Sequence, residues 1–169
     1  MKTKNFDYDQ LGLGPLGLLP TFKTSADVKQ KLEILDSFDM EREEMIARSC
    51  VRRPEFGAQF KEHLVPALIR EFKRFFALKL LFPDAKYPLT PASSVDAVWQ
   101  VLILDSVRYY DLCKNVYGDY LHHKVITDEL IGIYEGEIFD YTVDCMKSAF
   151  GGLVNVCWFF NYQEKQCWN

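Results

Sequence analysis

From Ser93 to Tyr117 the apolar side chains return at every third or fourth position: Trp99, Leu102, Tyr109 or Tyr110, Cys113 and Val116 share one face. A stripe with that period belongs to a helix packed on a core; a half-buried strand would alternate instead. Ser93 or Ser94 stands where a side-chain oxygen can accept the orphan amides of the first turn. Gly118 stands where a helix closes through a left-handed residue. The residues that follow, "DYLHHKVI", read as a short extended return. Any fold this chain adopts must bury that stripe against other helices.

Those helices are legible on both sides. Thr24 or Ser25 caps a helix whose inner stripe is Val28, Leu32 and Leu35. Asp39 caps a second, "MEREEMIARSCV", with Met45, Ile46 and Cys50 predicted to face inward and the charges outward. A third helical stretch runs from about Glu55 to Leu81, with Pro54 at its first turn and Phe72, Phe75, Phe76, Leu80 and Leu81 in its second half. Pro66 inside it predicts a kink or a split, because its ring displaces a backbone hydrogen bond. Pro83, Pro88 and Pro91 mark the next loop. A last helix opens at Thr127 or Asp128 and ends at Gly151-Gly152, burying Leu130, Ile131, Tyr134, Ile138, Tyr141 and Cys145. Gly132 and Gly136, four apart on it, would let another backbone approach closely.

The expected class is therefore mainly α, a single-domain bundle of about five helices centred on Trp99 and Phe75/Phe76. Three parts are expected. Residues 1–23 form an irregular apolar leader, residues 24–150 the helical domain, and residues 151–169 an aromatic tail. Gly12, Gly14, Pro15, Gly17 and Pro20 break any regular element in the leader. Its leucines are too many for a free end, so it should lie along a groove of the domain or of a partner. The tail holds Trp158, Phe159, Phe160, Tyr162 and Trp168, a density typical of interface anchors. It either packs on the bundle or anchors a partner.

A length of 169 residues fits one domain with a sizeable core. The net charge of −4 argues against non-specific binding to nucleic acid or to an anionic membrane. Nothing approaches the ~18 consecutive apolar residues of a membrane span. Residues 11–20 have the length of a secretion-signal core, but Asp7 and Asp9 precede them, and glycines and prolines interrupt them. The five cysteines, Cys50, Cys113, Cys145, Cys157 and Cys167, lack the close pairs of a zinc clasp. Reduced, buried thiols in the cytoplasm are the expectation.

The stretch from Arg74 to His123, "RFFALKLLFPDAKYPLTPASSVDAVWQVLILDSVRYYDLCKNVYGDYLHH", resembles the bacterial members of the glycine-rich domain-containing protein-like family. That family shows "RFLALK", a proline-bounded loop, "VDxxWHxHILDTxxYxxxC" and "FGxFLHH". The likeness covers about fifty residues, with a looser echo in "CMKSAFGG" and Trp158. It implies an intracellular helical domain that serves as an interaction or regulatory module, with no established catalytic residues. The family's Trp-His-x-His is Trp99-Gln100-Val101-Leu102 here, so both histidines are missing.

Each reactive constellation has a structural counterpart. Cys113 with His122 or His123 is the one plausible cysteine–histidine dyad, and with Asp96 the one plausible metal set. A thiol on the apolar face is normally inert, and Asp96 lies ~25 Å from Cys113 along a straight helix. Asp96 suits the positive helix end and can hydrogen-bond to Gln100. Glu137, Asp140 and Asp144 form an acidic face on the last helix. Arg70, Lys73 and Arg74 form a basic cluster, the alternative site for nucleic acid. The reading that emerges is a small intracellular binding or regulatory protein without enzymatic activity or cofactor. It would act on a protein partner or on a second copy of itself, and a phage-type accessory protein is one such form. The alternatives are a metal-dependent or cysteine enzyme at Cys113 with His122/His123, and a nucleic-acid binder at Arg70, Lys73 and Arg74.

Overall fold

The computed structural model describes residues 11–51, 64–123, 134–151 and Trp158, without the side chains of 47–51, 134 and 135. Among the described residues the chain is helical and has no strand. We number the helices α1 (Ala26–Ser37), α2 (Glu41–Val51), α3 (Val65–Leu81), α4 (Ser93–Leu104), α5 (Ser106–Tyr117) and α6 (Phe139–Phe150). A π-helical turn, Tyr134–Ile138, leads into α6.

Helix α3 is the axis of the bundle and meets α1, α2, α4 and α6. Its Phe72, Phe75 and Phe76 are fully buried, and burial of each phenyl ring contributes roughly 2 kcal/mol. Phe75 and Phe76 pack on Trp99 with ring centroids 5.8 and 6.0 Å apart, so the expected centre of the core is the observed one. Helix α3 starts at Val65, so Pro66 falls in its first turn, where a missing N–H costs nothing. Residues 55–63, where the longer predicted stretch would meet the expected kink or split, lie outside the described residues.

The predicted caps are partly right. Ser25 Oγ accepts the Val28 amide, and Asp39 accepts the Glu41 amide at 2.9 Å. Neither Ser93 nor Ser94 caps α4: the N-cap is Ala92, and Ser94 Oγ is buried without a hydrogen-bond partner. Gly118 closes α5 at φ 81° in the left-handed region.

Two helices replace the single one predicted from Ser93 to Tyr117. The chain leaves helical geometry at Asp105 (φ −90°, ψ 75°), which is both the last cap of α4 and the first cap of α5. No glycine or proline marks the break; the Asp105 carboxylate supplies it. That carboxylate turns back towards the Arg108 amide and pairs with Arg42 of α2 at 2.7 Å.

Helix α2 faces differently from the prediction. Met45 and Ile46 are exposed, while Glu43 is buried; the Cys50 side chain lies outside the described residues. Glu43 turns inward because Arg108 of α5 meets it with two guanidinium nitrogens, each 3.2 Å from a carboxylate oxygen. The same guanidinium donates to the Asp39 carbonyl and lies over the Phe38 ring.

The described part of the leader, from Leu11, lies along the domain between α1, α3 and α6. Leu16 and Leu18 are buried. The Leu16 N–H donates to Asp36 at 3.0 Å, and the Leu19 N–H donates to the Ala149 carbonyl at 2.9 Å. Among the described residues nothing lies within 4 Å of where a Gly136 Cβ would stand; Gly132 lies outside them. The proline loop between α3 and α4 is pinned to α6: the Lys86 and Thr90 amides donate to the Tyr141 and Thr142 hydroxyls, each at 3.0 Å.

Candidate functional site

The break at Asp105 builds the chemistry-bearing cluster. In one straight helix Trp99 and Tyr109, ten residues apart, would be separated by ~15 Å along the axis. With α5 folded back against α4, the Trp99 indole N–H donates to the Tyr109 hydroxyl at 3.0 Å. The Tyr109 hydroxyl in turn donates to the Leu121 carbonyl, which fixes the return segment after Gly118. Nearby, Tyr117 donates to the Phe76 carbonyl of α3.

His123 ends this return. Its Nε2 lies 2.7 Å from Asp96 Oδ1, and its ring stands edge-on to Trp99 at a centroid distance of 4.6 Å. The second Asp96 oxygen accepts from Gln100 Nε2 at 2.7 Å, as the four-residue spacing predicts. Asp96 therefore does more than meet the helix end: it clamps the return segment to α4. Sequence reasoning set aside a site shared by Asp96, Cys113 and a histidine because a straight helix holds Asp96 ~25 Å from Cys113. His122 is exposed, with its ring against Tyr120.

Cys113 contacts the Tyr109 hydroxyl and the Leu121 backbone. It is a free, buried thiol. Burial pushes its titration up, outweighing the stabilising contacts of the Leu121 backbone and the Tyr109 hydroxyl. A nucleophilic cysteine needs the opposite shift. Burial likewise pushes the Tyr109 and Tyr117 hydroxyls far up. Cys113, Tyr109 and Tyr117 therefore hold their protons. Among the described residues, no three histidine, cysteine or carboxylate side chains converge as a metal site would require.

The basic cluster is turned to internal work. Lys73 Nζ donates to the Asp36 and Phe38 carbonyls at 2.6 and 2.7 Å, where a cation meets the negative end of α1. Burial lowers its titration, opposed by the charges of Asp36 and Asp39. Arg74 is buried: it pairs with Glu71 at 3.0 Å and donates to the Leu16 carbonyl at 2.8 Å. Arg70 Nε is itself buried and lies 3.8 Å from a Glu71 oxygen. These three residues do not form an exposed basic surface of the kind that phosphates would need.

Of the aromatic tail, expected either to pack on the bundle or to anchor a partner, the one described member packs on the bundle. Trp158 is fully buried within this chain. Its indole N–H donates to Glu71 at 2.9 Å, and its ring packs on Phe75 and Phe139. Phe159, Phe160, Tyr162 and Trp168 lie outside the described residues. Glu137 in the π-helical turn and Asp140 and Asp144 on α6 are exposed, as a solvated face would be.

Two surface features were not anticipated. An open depression of about 420 Å³ lies along the proline loop, lined by Lys79, Lys86, Tyr87 and Leu89 among others, with no acid, histidine or cysteine. The other is apolar. Leu104 is 85 % exposed, Val107 70 % and Met45 67 %, with Tyr110 and Ile46 also exposed. Leu104 and Val107 flank the Asp105 break. Arg42 of α2, one turn before Met45 and Ile46, pairs with Asp105 at that break.

Among the described residues no helix is long and apolar enough to cross a membrane. No family model matches the chain, and no curated protein or solved structure matches it.

Proposed function

We propose that this is a small, non-enzymatic binding or regulatory protein that acts through protein–protein contacts in the cytoplasm. The observation that carries the reading is the exposed apolar ridge of Leu104 and Val107, on either side of the helix break. Large apolar side chains grouped on one surface favour a protein partner, because covering them removes apolar area from water. The leader and Trp158 are spent on the domain itself, so the ridge is a better docking surface than either. Free, buried Cys113 and Cys145 fit a reducing compartment.

Membership of the glycine-rich domain-containing protein-like family is part of the same proposal. It is supported by the way Asp96, Trp99, Cys113, Gly118 and His123 belong to one packed unit. A phage-type accessory role rests on small size and the divergent motif.

The test is affinity capture from the native cell with the wild-type chain and with Leu104→Asp/Val107→Asp, alongside sedimentation of each pure protein. Loss of a captured partner, or of a dimer, with unchanged thermal stability supports the reading. Equal capture by both chains, with both monomeric, removes the ridge as the docking surface.

A further inference from the structure

Leu16 is, among the described residues, the non-glycine residue with positive φ (φ 59°, ψ 12°). That conformation crowds a Cβ, and a leucine holds it only where its surroundings outweigh the strain. Both backbone groups of Leu16 are held by charged side chains: its N–H by Asp36 and its carbonyl by Arg74. Arg74 is kept in place by Glu71, whose other carboxylate oxygen receives the Trp158 indole. One buried ion pair therefore grips a segment near the start of the sequence and a tryptophan near its end.

We propose that residues 14–19 form a releasable strap whose docking is coupled to that of Trp158 through the Glu71–Arg74 pair. When Trp158 leaves, Glu71 loses a donor in a site that water does not reach. The carboxylate then reorganises, and the Arg74 guanidinium is no longer aimed at the Leu16 carbonyl. When the strap leaves, Arg74 Nε loses its acceptor, and the pair that holds Trp158 loosens in turn. Buried groups in one hydrogen-bonded network couple in this way because each lost partner leaves an unsatisfied charge for the next. The strain at Leu16 adds a bias towards release once either hold weakens. The coupling is reciprocal, as any linkage between two docking equilibria must be. It goes beyond the binding role above and does not depend on it.

The test is amide and indole hydrogen exchange by NMR on the full chain. Trp158→Phe keeps a ring but removes the N–H donor. The expected result is that the Leu16 and Leu19 amides exchange about tenfold faster, while the Leu112 and Val116 amides of α5 keep their protection. Asp36→Ala loosens the strap without touching the tryptophan site, and the Trp158 indole N–H is expected to exchange faster by a similar factor. Wild-type protection of the strap amides in Trp158→Phe overturns the proposal. So does wild-type indole exchange in Asp36→Ala, or an acceleration in both variants that is no larger at these sites than in α5.

Discussion

Glu43 of α2 and Arg108 of α5, 65 residues apart in sequence, meet as a two-pronged ion pair with both contacts at 3.2 Å. Glu43 is buried and Arg108 is about one-third exposed, so the acid has more to lose. Replacing Arg108 by Ala should cost about 3 kcal/mol, because it leaves a carboxylate buried without a partner. Replacing Glu43 by Ala should cost less, about 1–2 kcal/mol, since the guanidinium can turn to water. Arg108→Lys should not restore stability, because an ammonium cannot reproduce the fork. Urea unfolding of the three variants checks the order.

Tyr109→Phe removes one oxygen and leaves two groups without a partner, the Trp99 indole N–H and the Leu121 carbonyl. A loss of about 2 kcal/mol is expected, read as a lower midpoint in thermal or urea unfolding. An unchanged midpoint would mean that the Trp99–Tyr109–Leu121 relay does not brace the return segment.

Gly118→Ala isolates a backbone effect. Nothing lies within 4 Å of the position its Cβ would take, so no contact is disturbed. The residue is still required at φ 81°, and the expected cost is about 1 kcal/mol. Gly118→Asn should recover part of it, since asparagine tolerates that region better. Chemical denaturation of the pair is the measurement.

Stability should fall on the alkaline side. Cys113 and Cys145 release their protons later in the folded chain than in the unfolded one, because both are buried. Above the ordinary thiol value of 9.0 the unfolded state therefore binds fewer protons, and stability is lost as pH rises from there. Tyr109 and Tyr117 add the same sign from pH 10.0 upward. Lys73 has the opposite sign: its folded value is lowered, so it contributes increasing stability as pH climbs towards 10.5. Unfolding midpoints from pH 7 to 11 should decline, and Cys113→Ala should flatten the first part of the decline.

Much of the architecture was legible because helical periodicity is a local property. Leu32, Leu35, Trp99, Tyr109, Cys113 and Val116 are buried where their spacing puts them. Ser25 and Gly118 cap for reasons contained within one turn. What was not legible depends on partners far along the chain. Glu43 reads as a surface acid until Arg108 is seen beside it. Lys73 and Arg74 read as a basic patch until the carbonyls of Asp36, Phe38 and Leu16 are found to occupy them. Asp105 resembles any polar residue in a helix, and its role as a hinge appears only with α5 folded back. The Asp96–His123 clamp was hidden by the same error, since a straight helix puts Asp96 ~25 Å from Cys113, just before the return that carries His123.

The tryptophans at 99 and 158 both pack on Phe75, at ring-centroid distances of 5.8 and 6.1 Å. One indole belongs to the central bundle and the other follows Gly151 in sequence, yet both are buried. With Trp168 replaced, this chain carries its own optical reporter: blue emission marks both rings shielded from water. A red shift confined to the second ring would register its departure while the first still marks an intact interior.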